Sequence, residues 1–581
     1  MTARNPILVN GNRTLFDQQV VGDPTPPGEP TVFETGIPMR DGVELAATVW
    51  LPSAAALPVP AIVSVTPYDK DNSVFSAEEA KFYRGNEYAY VSVDTRGRGK
   101  SEGVWEAFVH DAEDTHDVIE WAGTQDWSTG AVGTTGLSYM GWVQWAAASQ
   151  RPAHLRCMVS TSAAGRWQQE IPYLNGVFQL YFGWWVYLVR RRIAEAHGLE
   201  QHDWDAVLRT LPVRALGEVI NPTGPTWEML MTHDTMDDLW RSLRFEDLYS
   251  TIDVPCLHVT GWYDLEDLLG AFHHYEHMMA DSPAADRQRL LVGPWSHVKS
   301  RFPDRRYADI DFGADAAVDM DAEHLRWFDY WLKGIDNGAA EDPPVSLFEP
   351  GHNRWRTPAA WPTSTGTRTL HFGGDAVAGT LRVDGADSVC GARSFTYDPA
   401  DPMPTGLDVR NYPVEDVPLD QTANEGRADV LTYTGEVLDD ALTVSGWPRV
   451  HLSASSDRED TDWHVKITDV HPDGRSVKVT QGCLRACHRE SLETTSGPMV
   501  AGTVYEFDVE MWPTHHVFLP GHRIRVSVTS SDFPWFARNL NQMGPVVEHA
   551  EPLIAVNTVH HGPGTLSRVV LPVEEGRTVE G

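Results

Sequence analysis

Hydrophobic and polar positions follow two distinct patterns along this chain. In residues 31–160, nearly continuous apolar runs such as 58–67 are separated by stretches with helical periodicity such as 113–125. Continuous runs rich in Val and Ile, separated by helices, are typical of parallel strands that helices cover on both faces. The same pattern returns between residues 254 and 335. We therefore predict an α/β core that is built from two separate parts of the chain.

The stretch between the two core parts and the C-terminal stretch have other patterns. Residues 165–250 carry long helical segments rich in aromatic residues, which predicts a helical cap inserted into the core. After about residue 340, short alternating strands are punctuated by Pro and Gly, as in a β-sandwich of jelly-roll type. The predicted division is a core at 1–164 and 251–340, a cap at 165–250 and a jelly roll at 341–581.

The composition limits the classes of partner that the chain can bind. Its 581 residues are too many for one hydrophobic core, which agrees with several domains. They include 46 Lys and Arg against 82 Asp and Glu, a formal net charge of −36. This charge repels nucleic-acid phosphates and anionic lipid headgroups, so we expect neither nucleic acid nor a membrane surface as a partner. A small molecule is the expected partner, and the composition leaves open whether the chain forms a homo-oligomer.

The N-terminal stretch and the cysteines bear on the compartment. Residues 1–19 contain no apolar segment of the kind found in secretory signals, and no stretch approaches the roughly 18 apolar residues of a membrane span. Five cysteines, a small and odd number, argue for a reducing compartment without a disulfide framework. We therefore expect a cytoplasmic protein.

One group of residues has a spacing that is compatible with a metal site. Cys483, Cys487 and His488 are close in sequence, but a second pair of ligands is missing nearby. Small buried cysteines on a strand explain the same residues without a metal. We expect neither a metal nor a cofactor.

The stretch Gly136–Gly141, with the sequence GLSYMG, has the form of a nucleophile elbow. It follows a short apolar and β-branched run and leads into residues 142–150, which are rich in helix formers. In the usual G-x-S-x-G elbow, the serine occupies a strained strand-to-helix turn between two glycines. Here the second glycine comes one residue late, and Met140 stands in its usual place. Ser138 is therefore either a nucleophile or part of an ordinary β-turn-α connection.

A base and an orienting acid for such a nucleophile follow at the ends of later apolar runs. A catalytic serine needs a histidine as base and a carboxylate that orients the histidine. Asp264 ends the run 254–264 and His297 ends the run 287–297, which gives the chain order serine, acid, histidine. Each residue alone has an ordinary explanation, such as a turn, a helix N-cap or a loop position. Their order and their places at strand ends favour a catalytic triad with Ser138.

The motifs around these residues resemble one family of serine hydrolases. They are GLSYMG, TPYDK (66–70), DTRGRGKSEG (94–103), GWYD (261–264), GPWSH (293–297) and PGHRIRVSVTSSDFPWFARNLN (520–541). On these motifs, which span nearly the whole chain, the sequence resembles the cocaine esterase and α-amino-acid ester hydrolase family, which is related to X-prolyl dipeptidyl peptidases. The resemblance implies an α/β-hydrolase core, an inserted helical cap and a C-terminal jelly-roll β-sandwich.

The resemblance also implies the donors of an oxyanion hole. A tetrahedral intermediate needs two hydrogen-bond donors aimed at its negative oxygen. In the family these are a tyrosine hydroxyl and the backbone N–H after the nucleophile, which correspond here to Tyr68 in TPYDK and to Tyr139. Without the resemblance, Tyr68 is better explained as an amphipathic residue at a strand end.

The acidic residues that follow the triad carboxylate in the sequence bear on the class of substrate. Glu266 and Asp267 come directly after Asp264, and the resemblance implies that they bind a substrate ammonium group, with Glu170 of the cap as a third acid. Alternatively, Glu266 and Asp267 occupy the first turn of a helix, where the macrodipole favours acids. Most aromatic residues of the cap are expected in its core, and Trp167 is the candidate for the acyl pocket that the resemblance implies.

Together these features predict a serine hydrolase that cleaves carboxylic esters or amides through an acyl-enzyme intermediate, with α-amino-acid esters as candidate substrates. Two alternatives stay open. The same acyl-enzyme can react with an amine, as in an acyltransferase or peptidase of a biosynthetic pathway. In the other alternative, the C-terminal β-sandwich is a carbohydrate-binding or adhesion module beside an inactive core.

Overall fold

The computed structural model describes seven stretches of the chain. They are residues 31–71, 74–194, 202–221, 224–383, 391–407, 416–562 and 567–575. The expectation for residues 1–19 and the cysteine at position 390 lie outside the described residues. Within the described stretches, no helix is both long and apolar enough to span a membrane.

A ten-stranded mixed sheet forms the centre of the first part of the molecule. Its inner strands come from the continuous apolar runs, because β-branched side chains pack well on a pleated surface that is covered on both faces. In spatial order the strands are β1 (Thr31–Pro38), β2 (Glu44–Leu51), β4 (Ala89–Asp94), β3 (Val59–Thr66), β5 (Ser128–Leu137), β6 (Leu155–Thr161), β9 (Cys256–Gly261), β10 (Gln288–Gly293), β13 (Val345–Glu349) and β14 (Arg354–Arg356). All pairings from β4 across to β13 are parallel. The predicted α/β fold class is confirmed.

The parallel register brings the ends of four strands to one edge of the sheet. The last residues of β5 and β6 pair with each other, as do the last residues of β9 and β10, and β6 pairs with β9. Residues that follow these strands therefore emerge at the carboxyl-terminal edge, where ligands bind in open α/β sheets. Ser138 follows β5 directly, Asp264 follows β9, and His297 follows β10.

Five longer helices pack around this sheet. They are α1 (Val74–Gly85), α2 (Asp111–Gly123), α3 (Tyr139–Ser149), α9 (Leu268–Asp281) and α10 (Met320–Lys333). The predicted helical stretch 113–125 corresponds to α2. Helix α10 begins after the N-cap Asp319, whose side chain accepts from Ala322 N–H. It ends at Gly334, which has the left-handed conformation. The helices α1 and α9 were not predicted from the sequence. Helix α9 is buried on most of its faces, which weakens its periodicity.

The inserted part of the chain lies between β6 and β9. Its described elements are the hairpin strands β7 (Tyr173–Leu174) and β8 (Val177–Phe178) and the helices α4 (Phe182–Leu188), α5 (Trp204–Leu208), α6 (Gly217–Ile220), α7 (Pro225–Thr232) and α8 (Asp238–Ser242). These helices have 4 to 8 residues, so the expectation of long helical segments was wrong. Their aromatic side chains are buried in the same apolar cluster as the core. Tertiary packing rather than helix length therefore stabilises this inserted cap.

Thirteen strands form the β-rich C-terminal part, which we call the β-domain. They are β15 (Gly366–Gly374), β16 (Gly379–Arg382), β17 (Gly391–Tyr397), β18 (Leu431–Thr434), β19 (Leu442–Gly446), β20 (Arg449–Ser456), β21 (Asp462–Val470), β22 (Ser476–Arg485), β23 (Tyr505–Glu510), β24 (Thr514–Phe518), β25 (Arg523–Thr529), β26 (Ala555–His561) and β27 (Arg568–Val573), with one helical turn, α11 (Thr422–Glu425). Their pairing is antiparallel except between β16 and β18. Cys483 lies buried in β22, with its Sγ 3.5 Å from the Leu174 carbonyl oxygen.

Sheet pairing bears on the predicted boundary at residue 340. The strands β13 and β14 follow this residue, yet β13 pairs with β10 and β14 pairs with β13. The core sheet therefore continues past residue 340. A short hairpin of β11 (Arg306–Tyr307) and β12 (Ile310–Asp311) lies between β10 and α10. The division of the chain into four segments stays a prediction.

Candidate active site

Ser138 occupies the sharp turn between β5 and α3. Its backbone has a φ of 65° and a ψ of −128°, a conformation that residues other than glycine rarely adopt and that fits a nucleophile elbow. Its N–H donates to the carbonyl oxygens of Thr161 at 3.0 Å and Ser162 at 3.1 Å. Hydrogen bonds to the end of the neighbouring strand thus hold the strained turn in place.

The two glycines of the motif allow α3 to lie close to the sheet. A Cβ atom on Gly136 would lie 2.4 Å from the Cβ of Met140, and one on Gly141 would lie 2.8 Å from the Thr161 carbonyl oxygen. Both distances are well below van der Waals contact. The late position of the second glycine is therefore explained, since residue 141 is the one that approaches β6.

Asp264 and His297 form a buried pair at the ends of β9 and β10. His297 Nδ1 lies 3.1 Å from Asp264 Oδ1 and 3.3 Å from Oδ2. Oδ1 also accepts the backbone N–H groups of Glu266 and Asp267 at 2.9 and 3.1 Å. Burial alone would raise the pKa of Asp264, but the charge and hydrogen bond of His297 and the other donors lower it overall. The carboxylate can therefore hold Nδ1–H and leave Nε2 to act as a base.

Two serines that were not predicted as site residues support this pair. Ser162 directly follows β6 with a φ of 44°, and its hydroxyl hydrogen-bonds Asp264. Its Oγ also lies 2.8 Å from the Oγ of Ser300, which donates to the His297 carbonyl oxygen at 2.5 Å. Ser162 thus contacts the nucleophile turn through its carbonyl and the acid through its hydroxyl. Its place just past a parallel strand is the signal in the sequence that points to it.

Tyr68 and Tyr139 lie next to Ser138. The Tyr68 hydroxyl hydrogen-bonds the Ser138 side chain and accepts from Trp185 Nε1–H at 3.1 Å. Burial, helped by nearby carboxylates, raises the pKa of Tyr68, so its hydroxyl stays protonated and can donate. Tyr139 is the first residue of α3, where backbone N–H groups have no partner within the helix. Both groups can serve an oxyanion that forms at Ser138.

Two further acids lie close to the His297 ring. Glu266 Oε2 is 3.9 Å from Nε2, and Asp267 Oδ2 is 3.9 Å from Nδ1. Asp267 is the N-cap residue of α9 but makes no capping hydrogen bond with its side chain, so capping does not explain it. Burial and the neighbouring acids raise the pKa of Asp267 well above its usual value. Burial lowers the pKa of His297, but Glu266 and Asp264 outweigh it, so the pKa is raised overall.

Glu170 lies in the inserted cap near Asp267, whose pKa its charge helps to raise. Its Oε2 accepts the N–H groups of Gly165 at 2.9 Å and Arg166 at 3.1 Å, and its Oε1 accepts that of Gly270. Burial raises the pKa of Glu170 to about 7 in spite of these donors. Glu170 therefore ties the cap to α9 and completes a group of three buried acids, Glu170, Glu266 and Asp267, which we call the carboxylate cluster.

Trp167 lies in a buried aromatic group between the cap and α3. Its ring stacks on Trp240 with the centroids 5.2 Å apart and meets Phe108 edge-on at 4.9 Å. Its Nε1–H donates to the Leu243 carbonyl oxygen at 3.0 Å. Phe108 in turn stacks on Tyr139 at 4.7 Å, so Trp167 is one ring away from the nucleophile turn. Its role in an acyl pocket stays a prediction.

Comparisons with known proteins find relatives over nearly the whole chain. Residues 41–299 match the X-Pro dipeptidyl-peptidase (S15 family), and residues 337–570 match the X-Pro dipeptidyl-peptidase C-terminal non-catalytic domain. The chain is 34% identical over 571 residues to cocaine esterase from Rhodococcus sp. (strain MB1 Bresler), an alignment that covers 92% of this chain and 97% of the esterase.

Solved structures with the same fold are also found. An α-amino acid ester hydrolase matches with a TM-score of 0.84 and 26% identity, covering 99% of this chain and all of the other. An aminopeptidase from a marine sediment archaeon, Thaumarchaeota archaeon, matches in fold with a TM-score of 0.83 and 24% identity, covering 96% and 99%. The relatives make the alternative of an inactive core with an adhesion module wrong. The chain belongs to the cocaine esterase and α-amino-acid ester hydrolase family and is a serine ester hydrolase related to the X-Pro dipeptidyl-peptidases.

Proposed function

We propose that this chain hydrolyses esters of α-amino acids through an acyl-enzyme intermediate on Ser138. The observation that carries the proposal is Glu266, whose Oε1 is buried and has no hydrogen-bond partner among the described residues. A buried carboxylate oxygen without a donor is costly unless a ligand supplies one. A substrate ammonium group supplies both the donor and the opposite charge.

The proposed reaction has two steps, acylation of Ser138 and deacylation, and both use the triad. His297 Nε2 takes the proton of the Ser138 hydroxyl as its oxygen attacks the ester carbonyl, while Asp264 holds Nδ1–H and stabilises the imidazolium. The Tyr68 hydroxyl and the Tyr139 N–H stabilise the negative oxygen, each by about 3 kcal/mol. The alcohol leaves with the proton from His297. Water then attacks the acyl-enzyme by the same proton transfers, and the carboxylic acid is released.

Charge explains why an amino group suits this site. Negative charge surrounds one imidazole in this site, because the charges of Glu266, Asp264 and Asp267 raise the pKa of His297. An ammonium group about 4 Å from one carboxylate gains about 4 kcal/mol at an effective dielectric constant of about 20. The same group offsets the charges that raise the pKa of His297, and so it favours the neutral base. A neutral acyl group offers neither effect.

A second candidate function is peptide cleavage or acyl transfer to an amine. The matching family is described as a dipeptidyl-peptidase, and one structure with this fold is an aminopeptidase. An acyl-enzyme can form from an amide as well as from an ester, and an amine can attack it in place of water. Product analysis after addition of an amine separates the two outcomes, since transfer yields an amide and hydrolysis yields the acid.

We further propose a cytoplasmic location and an acyl pocket that includes Trp167. The location is supported by the cysteines within the described stretches, which are buried free thiols at positions 157, 256, 483 and 487. Fractionation of the producing cells tests the location. The acyl pocket is supported by the place of Trp167 one ring away from Tyr139.

The test of the main proposal compares two esters that differ only in the α-amino group, the methyl esters of phenylglycine and phenylacetic acid. We expect Glu266→Gln to lower kcat/KM for the amino ester about tenfold or more, which corresponds to about 1.4 kcal/mol. The neutral ester should not lose rate at neutral pH, because it makes no contact with the acid and the substitution removes a charge that raises the pKa of the base His297. The matched control is Glu78→Gln, an exposed acid of α1, which should alter neither rate.

Equal losses for the two esters would contradict the ammonium site and leave ester hydrolysis untouched. The nucleophile is tested separately by Ser138→Ala, which is expected to abolish turnover of both esters while the circular dichroism spectrum stays that of the wild type. Retained turnover in this variant would refute the acyl-enzyme on Ser138.

A further inference from the structure

Three imidazole side chains of the β-domain converge on one carboxylate, and none of these four residues belongs to the catalytic group. Asp469 lies in β21 and His471 directly after it, while His516 lies in β24 and His522 directly precedes β25. We call these residues the Asp469 cluster. The fold thus brings three imidazoles from separate strands to a single buried carboxylate.

Hydrogen bonding explains only part of this arrangement. His522 Nδ1 lies 2.8 Å from Asp469 Oδ1, and His516 Nε2 lies 3.1 Å from Oδ2. His471 Nε2 is 3.9 Å from Oδ2, beyond hydrogen-bond distance. The ring centroids of His471 and His522 are 4.5 Å apart. Binding to the carboxylate therefore accounts for His516 and His522 but leaves the position of His471 unexplained.

The distances within the cluster suit a metal ion. One ligand atom from each of Asp469, His471 and His522 lies within 4.8 Å of the other two. A tetrahedral Zn²⁺ with bonds of about 2.0–2.1 Å needs ligand atoms roughly 3.3 Å apart, so small side-chain rotations suffice. Two imidazole nitrogens and one carboxylate oxygen are a donor set that binds Zn²⁺ in proteins.

The residues of the cluster differ in burial. This difference leaves a path by which an ion can enter, and a neighbouring residue supports the buried carboxylate. The side chain of Asp469 is 2% exposed and that of His471 is 27% exposed, so an ion can reach the site from the His471 side. His516, in β24, contacts the second carboxylate oxygen. Carboxylates that bind metals are commonly fixed by such an outer hydrogen bond.

We propose that Asp469, His471 and His522 bind a divalent transition-metal ion, with Zn²⁺ as the best fit and His516 as the residue that positions Asp469. Water completes the coordination on the exposed side. On binding, coordination replaces the hydrogen bond between His522 and Asp469, and the imidazoles bind in their neutral form. The role is structural, because the cluster contains no group of the proposed catalytic machinery.

The site lies against the hydrolase core. Burial and, in addition, the charge of Asp469 raise the pKa of Tyr263, so Asp469 lies near this residue. Tyr263 directly precedes Asp264 in the loop after β9. All three proposed ligands belong to the β-domain, so a bound ion stabilises this domain next to the loop that carries the acid of the proposed triad.

The test uses the full chain, stripped with EDTA and titrated with Zn²⁺ in a calorimeter. We expect one site per chain with an affinity that falls about tenfold or more in His471→Ala. Zn²⁺ should raise the thermal unfolding midpoint of the wild type and not that of the variant, because only a folded site binds the ion. Co²⁺ in the same site should give the visible absorption of tetrahedral coordination.

Two further variants separate this site from the other histidines of the chain. His471 is a partly exposed residue after a strand, so its alanine variant is expected to fold, and His522→Gln tests a second ligand. His110→Ala removes an exposed histidine of the core and should keep wild-type binding. Absence of binding by the wild type, or equal binding by the wild type and both ligand variants, would overturn the proposal.

Discussion

Ser162 connects two parts of the catalytic group that belong to different motifs. Its carbonyl oxygen accepts the N–H of Ser138, and its hydroxyl hydrogen-bonds Asp264. A hydroxyl donor stabilises the ionised form of a carboxylate, and the ionised carboxylate stabilises a protonated imidazole. Through Asp264, Ser162 can therefore influence the protonation of His297 without touching the substrate.

We expect Ser162→Ala to lower kcat about tenfold with little change in KM, since a hydrogen bond to a charged group is worth about 1.5–3 kcal/mol and only part of it acts in the transition state. Loss of this donor raises the pKa of Asp264, which stays ionised and directs more of its charge toward the imidazolium, and so it raises the pKa of His297. Because neutral His297 is the active base, the acid limb of kcat/KM should move to higher pH. A pH–rate profile with a neutral ester measures the shift.

The control for this variant is Ser149→Ala at the end of α3, which removes a hydroxyl that donates to the Ala146 carbonyl of its own helix and accepts from the neighbouring Gln150 side chain. It should leave the pH–rate profile unchanged. If Ser162→Ala lowers the folded yield but keeps the wild-type kcat and profile, then Ser162 supports the fold and not the base.

Active-site residues could be predicted from the sequence only where they lie in a recognisable pattern. Asp264 and His297 each end a long apolar run, and the structure brings them within hydrogen-bond distance. Ser162 also follows an apolar run, but serines are common at such places and its supporting hydrogen bond crosses to another strand. Glu170 was found only through resemblance, since three backbone donors from the cap and α9 surround it and no spacing within the sequence encodes them.

At the scale of elements, the position of α3 depends on two glycines. The nucleophile turn keeps its geometry only while the helix lies close to β5 and β6, and both Gly136 and Gly141 lie at points of closest approach. The backbone N–H of Tyr139 begins the same helix. A shift of α3 therefore moves the nucleophile and one oxyanion donor together.

We expect Gly136→Ala to lower the free energy of unfolding by about 1–3 kcal/mol, because the added Cβ overlaps Met140 and the helix must move. The loss in kcat should be larger than this change in stability suggests, since Ser138 and the Tyr139 N–H shift as well. Denaturant unfolding and ester kinetics on the same preparation measure both effects. In Gly85→Ala, at the end of α1, the new Cβ meets nothing within 4 Å, so neither quantity should change. Wild-type kcat in Gly136→Ala would show that the close approach is not required.

Strands were predicted better than the elements of the cap. Apolar runs such as 58–67 define buried strands by composition alone, and β3 lies within that run. In the cap, aromatic side chains are buried whatever their spacing, and prolines such as Pro172 and Pro212 interrupt the helical segments. The strand β13 lay beyond the predicted core because its pairing with β10, for example Leu290 with Val345, is a long-range contact that local pattern does not encode.

At the scale of the whole molecule, contacts through the cap connect the β-domain to one oxyanion donor, the Tyr68 hydroxyl. Trp535 of the β-domain stacks on Tyr181 with the ring centroids 4.3 Å apart, and its Nε1–H donates to Gln179 Oε1 at 3.0 Å. Tyr181 directly precedes α4, which carries Trp185. Trp185 in turn donates to the Tyr68 hydroxyl. A continuous path of contacts therefore leads from the β-domain to the nucleophile.

We expect Trp535→Ala to lower kcat although Trp535 touches no substrate. Removal of a buried tryptophan costs about 3–5 kcal/mol, and it takes away the ring on which Tyr181 stacks, which loosens the start of α4. Trp185 then no longer fixes the Tyr68 hydroxyl, so kcat should fall more than KM rises. Limited proteolysis should detect new cleavage within the cap.

The matched control is Trp463→Ala, which removes an equally buried tryptophan of the β-domain. Trp463 packs on Phe507 and Phe395 within the β-domain itself. This variant should lose a similar free energy of unfolding but keep the wild-type kcat and the wild-type cleavage pattern. If the two tryptophan variants instead lose stability alike and share the same kcat and cleavage pattern, the β-domain stabilises the chain without fixing Tyr68, and the path through the cap has no part in catalysis.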